Sequence, residues 1–396
     1  MLYRDFKGKR LSLLAFGAMR LPKGEDESNG GVDVKKVEEM VAYAIKNGVN
    51  YFDTAYPYHK GESERIMGKV LGKYPRDSFY LATKYPGHQI SESYDPAATF
   101  EEQLEKCQVD YFDFYLLHNI CERSLPTYKD ERWKIVDYFI EQRRRGRIKH
   151  LGFSSHASLE GLKDILELYG NELEFCQIQI NYLDWTLQNA KEKLELLSEY
   201  NIPVWAMEPV RGGKLANLPQ MMEEKLKNAR ADETTAAWAF RFLQGLPGMT
   251  VILSGMSDME QMIDNIKTFS DEKPLNADEK KLVMEIAEGL KNSLPCTACN
   301  YCREGCPMQL DIPYLISHYN EFRYQPGMNV AMRIEALPED KQPAACIACG
   351  KCSEICPQKI DIPKALKEFA DGLSAQPTWA DICRQRDEDN RKNKNK

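Results

Sequence analysis

Eight short apolar runs, each followed by a stretch of helical periodicity, fill residues 11 to 269 and constrain the fold more than any other feature. They are LSLLAFG (11–17), VNYFDTA (49–55), FYLATK (79–84), YFDFYLLH (111–118), IKHLGFSS (148–155), FCQIQIN (175–181), IPVWAM (202–207) and MTVILSG (249–255). The intervening segments, such as VKKVEEMVAYAIKNG, place apolar residues at three- and four-residue steps and close on glycine. Eight strand-then-helix units over about 260 residues are the size and pattern of a closed parallel (β/α)8 TIM barrel. The competing α/β arrangement, a doubly wound open sheet, usually carries a glycine-rich dinucleotide turn after its first strand. The turn here, GAMRLPKGEDE, has no GxGxxG.

Beyond the barrel, CTACNYCREGCPMQLDIP (296–313) returns as CIACGKCSEICPQKIDIP (346–363). CxxCxxCxxxCP is the bacterial [4Fe-4S] arrangement, in which three close thiolates ligate one cluster and the fourth ligates the other. That rule assigns Cys296, Cys299, Cys302 and Cys356 to one cluster, and Cys346, Cys349, Cys352 and Cys306 to the second. Zinc also binds CxxC pairs, but it leaves the third and fourth cysteines and the proline unexplained. Eight of the 12 cysteines fall in the two motifs, which argues for metal ligation in a reducing compartment, and Cys107, Cys121, Cys176 and Cys383 read as scattered thiols. The expected organisation is a barrel over 1–275, a connecting helix over 276–292, a small, mainly helical two-cluster ferredoxin-like domain over 293–370, and a charged, disordered tail over 371–396.

The net charge of −7 argues against a nucleic-acid surface. RRRGRIK (143–149) is the one dense basic run, and it reads as a helix end closed by Gly146. No run approaches the roughly 20 apolar residues of a membrane span. The opening MLYRDFKGKRLSLLAFGAMR superficially resembles a signal peptide, but Gly17 and Arg20 interrupt it early and no small-x-small site follows, so a buried first strand and a cytoplasmic location are expected.

In such barrels the chemistry sits where strands end. The strand-end polar residues are Asp53, Lys84, His118, Ser154 and Gln177, and Tyr58 follows Asp53 by five positions. A phenol with a pKa of about 10 is a poor acid near neutrality. A neighbouring ammonium lowers that pKa, and a carboxylate keeps the ammonium charged and positioned. Asp53 would then fix Lys84, Lys84 would tune Tyr58, and His118 would orient a substrate carbonyl while Tyr58 protonates its oxygen.

DTAYPYHKGESE, LATK, DFYLLH and GFSS, in that order, resemble the aldo/keto reductase family over roughly residues 1 to 270. The resemblance implies that Asp53, Tyr58, Lys84 and His118 form the catalytic tetrad. It also implies a nicotinamide cofactor, NAD(H) or NADP(H), across the barrel mouth, with Ser154 and Gln177 holding its carboxamide. Ser155 stands where the family usually has Asn, Asn119 where many members have an aromatic, and Met207 where an aromatic commonly stacks on the nicotinamide. The last change admits a flavin in place of, or alongside, the nicotinamide. Gly255 and Gln261 stand where members that prefer NADPH offer cations to the 2′-phosphate, which favours NADH, and Asp264 and Asn265 match the adenine-facing pair. Specificity is expected in the loops 121–133 and 210–219.

Cys306 and Cys346 stand forty positions apart, and YLISHYNEFR and ALKEFADGL look helical, so the cysteine unit resembles the helical ferredoxin modules of multi-subunit dehydrogenases. Together the two resemblances imply an aldo/keto reductase-like oxidoreductase acting on a small carbonyl or alcohol, its clusters exchanging electrons with the barrel site, ferredoxin or another redox protein. Two other readings compete with it: a carbonyl reductase whose clusters are structural or regulatory, and an electron-transfer subunit of a larger dehydrogenase.

Overall fold

The computed structural model describes residues 1–26, 30–89, 93–121, 124–290, 293–324, 328–335, 337–378 and 381. The chain divides into two compact units, 1–286 and 287–396, and helix Ala277–Leu290 spans that division.

The first unit opens with an antiparallel hairpin, β1 (Tyr3–Phe6) and β2 (Lys9–Ser12). Eight parallel strands then close a barrel: β3 (Leu14–Gly17), β4 (Tyr51–Asp53), β5 (Tyr80–Tyr85), β6 (Phe112–Ile120), β7 (Ile148–Ser155), β8 (Cys176–Gln179), β9 (Val204–Met207) and β10 (Met249–Ser254), with β10 pairing back onto β3. All eight expected runs supply barrel strands. The run at 11–17 is not one strand, however: it ends the hairpin at Ser12 and starts the barrel at Leu14. Lys7 and Gly8, both at positive φ, make the hairpin's tight turn.

The hairpin packs Phe6 into the barrel interior, where its ring lies 5.1 Å from Trp205 and 5.7 Å from Phe114. The interior core comprises Phe6, Ala15, Tyr51, Ala82, Phe114, Leu116, Phe175, Trp205, Val251 and Leu253 with their neighbours. Strand side chains alternate faces. Two residues beyond each core position, at the C-terminal strand ends, therefore stand Asp53 after Tyr51, Lys84 after Ala82, His118 after Leu116, Gln177 after Phe175, Met207 after Trp205 and Gly255 after Leu253. Register agrees: Asp53 pairs with Ala82, Lys84 with Leu116, and Ser154 with Gln177. The strand-end candidates among them are the top layer of one continuous inward face.

Helix Ile135–Arg144 ends in the basic run, with Gly146 at φ 77° just beyond it. Its cations are used locally, Arg143 with Glu172 and Arg147 with Glu101. Among the described residues no helix is long and apolar enough to cross a membrane.

The second unit is a structural duplication at a constant offset of fifty residues. Helices Tyr301–Glu304 and Ile312–Tyr324 recur as Lys351–Glu354 and Ile362–Ser374. Positive-φ residues repeat in step, Ala298 with Ala348, Asn300 with Gly350, and Gln309 with Lys359. The two long helices pack through Leu315, Ile316, Tyr319, Phe322, Leu366 and Phe369. Gly372 takes the place equivalent to Phe322, and a Cβ there would come within 2.7 Å of the Phe322 ring. Helix Ile362–Ser374 runs past residue 370, where the charged tail was expected to begin. Cys383 and the tail's RQRDEDNRKNKNK (384–396) lie outside the described residues.

Candidate active site and cluster-binding domain

At the barrel mouth the Lys84 ammonium donates to Asp53 Oδ1 at 2.5 Å, to the Thr54 carbonyl at 2.7 Å and to Tyr58 Oη at 3.4 Å. Lys84 is 1% exposed and Asp53 4%. Burial pushes the Asp53 carboxyl up and the Lys84 ammonium down, and each partner's charge opposes the other's shift. Tyr58 reaches the site from a short 3-10 turn (Tyr58–Gly61) in which His59 and Lys60 adopt positive φ. His59 Nε2 accepts from the Leu21 N–H, tying that turn to the loop after β3.

Lys84 was expected to bring the Tyr58 pKa below the ordinary phenol value; in the site as it stands, burial outweighs that pull. Burial pushes the hydroxyl well above the ordinary phenol range, and the Asp53 and Glu208 carboxylates add to the rise. Asp53 compensates the ammonium at close range, while the phenol lies farther away in a dry site, so Tyr58 holds its proton at neutral pH.

The His118 ring meets Tyr58 edge-on at 5.9 Å and His88 at 4.5 Å. Its Nδ1 is buried with no hydrogen-bond partner among the described residues. Burial, then His88, Lys84 and His156, push the imidazole well below its usual range, so it is neutral. Tyr128 fixes the backbone beneath it by donating to the His118 carbonyl at 2.7 Å. A Cβ on Gly87 would come within 2.6 Å of the Tyr128 ring, which is why glycine precedes His88.

The other expected cofactor contacts separate into two groups. Ser154, Gln177 and Met207 share the inward face with the tetrad candidates, and Gln177 Oε1 is a buried acceptor with no partner among the described residues. That orphan, beside the Ser154 hydroxyl, fits a carboxamide that both donates and accepts. Ser155 is engaged within the protein, donating to the Ile120 carbonyl and accepting from the Ala157 N–H. Gln261 caps its own helix through Ser257 and Asp258, Asp264 accepts from Thr234, and buried Asn265 donates to Ser254. Gly255 is not bare of cations: the side chain of Arg20 lies across it, 3.2 to 3.4 Å from where a Cβ would sit.

Arg20, Glu208, Glu64 and His88 escaped the sequence reading. Glu208 directly follows β9 and His88 stands three residues after β5, which was the available signal; Arg20 comes from the 3-10 turn Ala18–Arg20 and Glu64 from helix Ser63–Leu71. Of the expected specificity loops, residues 122 and 123 lie outside the described residues.

In the second unit the cysteines sort as the spacing rule assigns them. Cys296, Cys299, Cys302 and Cys356 line one shallow hollow, and Cys306, Cys346, Cys349 and Cys352 line another. Among the described residues no three such side chains gather tightly enough for a single ion. Four sulfurs around a hollow suit a cluster, whose irons sit apart, better than one zinc. Burial and neighbouring thiols push Cys302 up to about 12 and Cys352 up to about 11, so thiolates there would need a bound metal cation.

Comparison with known proteins agrees with both halves. Residues 13–288 match the model of the aldo/keto reductase family, and residues 295–360 match a 4Fe-4S dicluster domain. The chain is 25% identical over 306 residues to the NADH-specific methylglyoxal reductase of Escherichia coli (strain K12), covering 66% of this chain and 91% of that one. An aldo-keto reductase from Bacillus halodurans in its holo form superposes with a TM-score of 0.57 at 24% identity, covering 72% and 96% of the two chains. One from Klebsiella pneumoniae, in complex with NADP and acetate, does so with a TM-score of 0.57 at 19% identity over 71% and 93%. A (β/α)8 oxidoreductase barrel followed by an iron-sulfur domain is the class defined here, and the chain belongs to the aldo/keto reductase family.

Proposed function

We propose that the protein reduces a small carbonyl compound to its alcohol, or runs the reverse oxidation, at Asp53, Tyr58, Lys84 and His118. The contact of Lys84 with both Asp53 and Tyr58, beside the His118 ring, carries this reading. A nicotinamide bound across the mouth would supply the hydride. Gln177 and Ser154 would hold its carboxamide and fix which face it offers.

Tyr58 and His118 are both neutral, so each can hydrogen-bond to a carbonyl oxygen without expelling the other's charge. As negative charge grows on that oxygen, the Tyr58 proton moves onto it from Oη. Lys84 then stabilises the phenolate, and Asp53 keeps the ammonium in place. Burial of Asp53, Lys84 and His118 keeps water from competing beneath the half-buried Tyr58. The relatives named for NADH and NADP chemistry support a nicotinamide of either kind. Gly255 and Gln261 lean toward NADH, and Arg20 is the nearest cation an NADP phosphate could use.

The two cysteine sets would each hold a [4Fe-4S] cluster and exchange single electrons with ferredoxin or another redox protein, in the reducing cytoplasm that keeps such thiols free. Linking one-electron clusters to two-electron chemistry requires a converter, for which a flavin is the natural class.

The test is turnover of NADH and NADPH with methylglyoxal and other small carbonyls, on protein purified anaerobically. Tyr58→Phe should lower kcat by about 100-fold or more with little change in cofactor binding. Unchanged turnover in that variant would overturn the tetrad reading.

A further inference from the structure

Behind Lys84, away from the mouth, lies a buried polar network that the chemistry above does not use. Glu64, on helix Ser63–Leu71, is completely buried. Its Oε1 accepts from Thr83 Oγ1 at 2.6 Å and from Gln103 Nε2 at 2.7 Å. Gln103 Nε2 also donates to the Lys84 carbonyl at 3.0 Å, and Tyr115 Oη donates to Gln103 Oε1 at 2.5 Å. Glu64 Oε2 has no hydrogen-bond partner among the described residues. Burying an acid this way is costly and does nothing for packing that a leucine could not do.

We propose that Glu64 is a positioning residue of the reaction, a buried carboxylate that fixes the backbone of Lys84 through Thr83 and Gln103 and holds its side chain in the ammonium form. This rests on the carbonyl-reductase reading of the site. The hydrogen bonds supply the positioning, and they place the carboxylate beside the lysine's backbone. Thr83 and Lys84 are adjacent on β5, so bonds to Thr83 Oγ1 and the Lys84 carbonyl fix the segment from which the lysine side chain rises. The carboxylate's charge favours the Lys84 ammonium, against the burial that disfavours it.

The groups facing Glu64 are Lys84 from β5, Lys106, Glu102 and Cys107 from helix Pro96–Cys107, Tyr115 from β6, and Tyr56 from the loop after β4. Only the two lysines are cationic. Burial pushes the Glu64 carboxyl up to about 7, with the Thr83 and Gln103 bonds and Lys106 opposing the rise.

Glu64→Gln tests the assignment, because its amide oxygen can still accept from Thr83 and Gln103 while the charge is lost. With the ammonium less supported, the alkaline loss of kcat should begin about one pH unit lower than in the wild type, with KM unchanged. Superimposable pH profiles overturn the proposal. Should the wild type turn over no carbonyl at all, the reductase reading falls, and stability still decides the link. An acid whose folded pKa is raised is destabilising once ionised, so Tm of Glu64→Gln minus Tm of wild type should grow from pH 5 to pH 8. The midpoint of that growth should move to higher pH when Lys84→Met is placed in both backgrounds. An unmoved midpoint overturns the proposal.

Discussion

Asp53 accepts a 2.5 Å hydrogen bond from the Lys84 ammonium, and both residues are almost wholly removed from water. A buried ion pair contributes little net stability, but removing one partner strands the other charge and costs about 3–5 kcal/mol. Asp53→Asn should therefore destabilise the barrel by about that amount near pH 7. Burial already lowers the Lys84 pKa, and loss of Asp53 lowers it further. Folded protein then binds fewer protons than unfolded chain, so stability rises with pH as the lysine neutralises. Chemical denaturation at pH 7 and pH 9.5 should show the deficit shrinking.

His88, His118 and His156 form a neutral group at the mouth, the first and last pushed down to about 4 and His118 also lowered, each chiefly by burial. Unfolded histidines take up protons near pH 6.5. Below that pH the unfolded state binds more protons, so stability falls as pH drops. Tm should decline between pH 6.5 and pH 4, and His156→Asn should flatten the slope. An equally steep decline in that variant would show that the acid sensitivity arises elsewhere.

The barrel was legible because its signal is local and repeated: eight apolar runs had to become eight strands, and the strand-end polar residues had to form the layer above the core. The hairpin was missed because LSLLAFG reads as one apolar run, and only the Lys7–Gly8 turn hints that its first half pairs backwards. Charge states were less legible than positions. Spacing brings Lys84 to Tyr58, but the opposite shift of the phenol follows from desolvation, which depends on everything packed around it. Glu64 and Arg20 were invisible because a helix residue comes to lie behind Lys84, and one from a 3-10 turn beside Gly255, by tertiary packing rather than by strand register. That Cys356 lines the hollow of the first motif was foreseen only through the bacterial two-cluster arrangement, in which the fourth cysteine serves the other cluster.

Phe6 closes the barrel floor and packs on Phe114, Phe175 and Trp205. Phe6→Ala removes a ring from a fully enclosed layer and should cost about 3–5 kcal/mol. The tetrad lies at the opposite strand ends, so kcat should be nearly unchanged at temperatures where the variant stays folded. Thermal unfolding followed by circular dichroism, with turnover at 20 °C or below, separates the two effects.

Cys356 sits in the second motif but lines the hollow of the first, and Cys306 does the converse. If each hollow holds one four-iron cluster, the intact protein carries about eight irons. Cys299→Ala and Cys356→Ala act on the same hollow, so each alone should reduce iron to about four, and the double variant should reach the same value. Cys356→Ala combined with Cys349→Ala acts on both hollows and should leave almost none. Non-additivity within one pair and additivity across the other is the signature of shared ligation. Iron analysis and the cluster absorbance of anaerobically purified variants read it directly. A second loss of iron in Cys299→Ala/Cys356→Ala would mean that each motif closes its cluster with its own fourth cysteine.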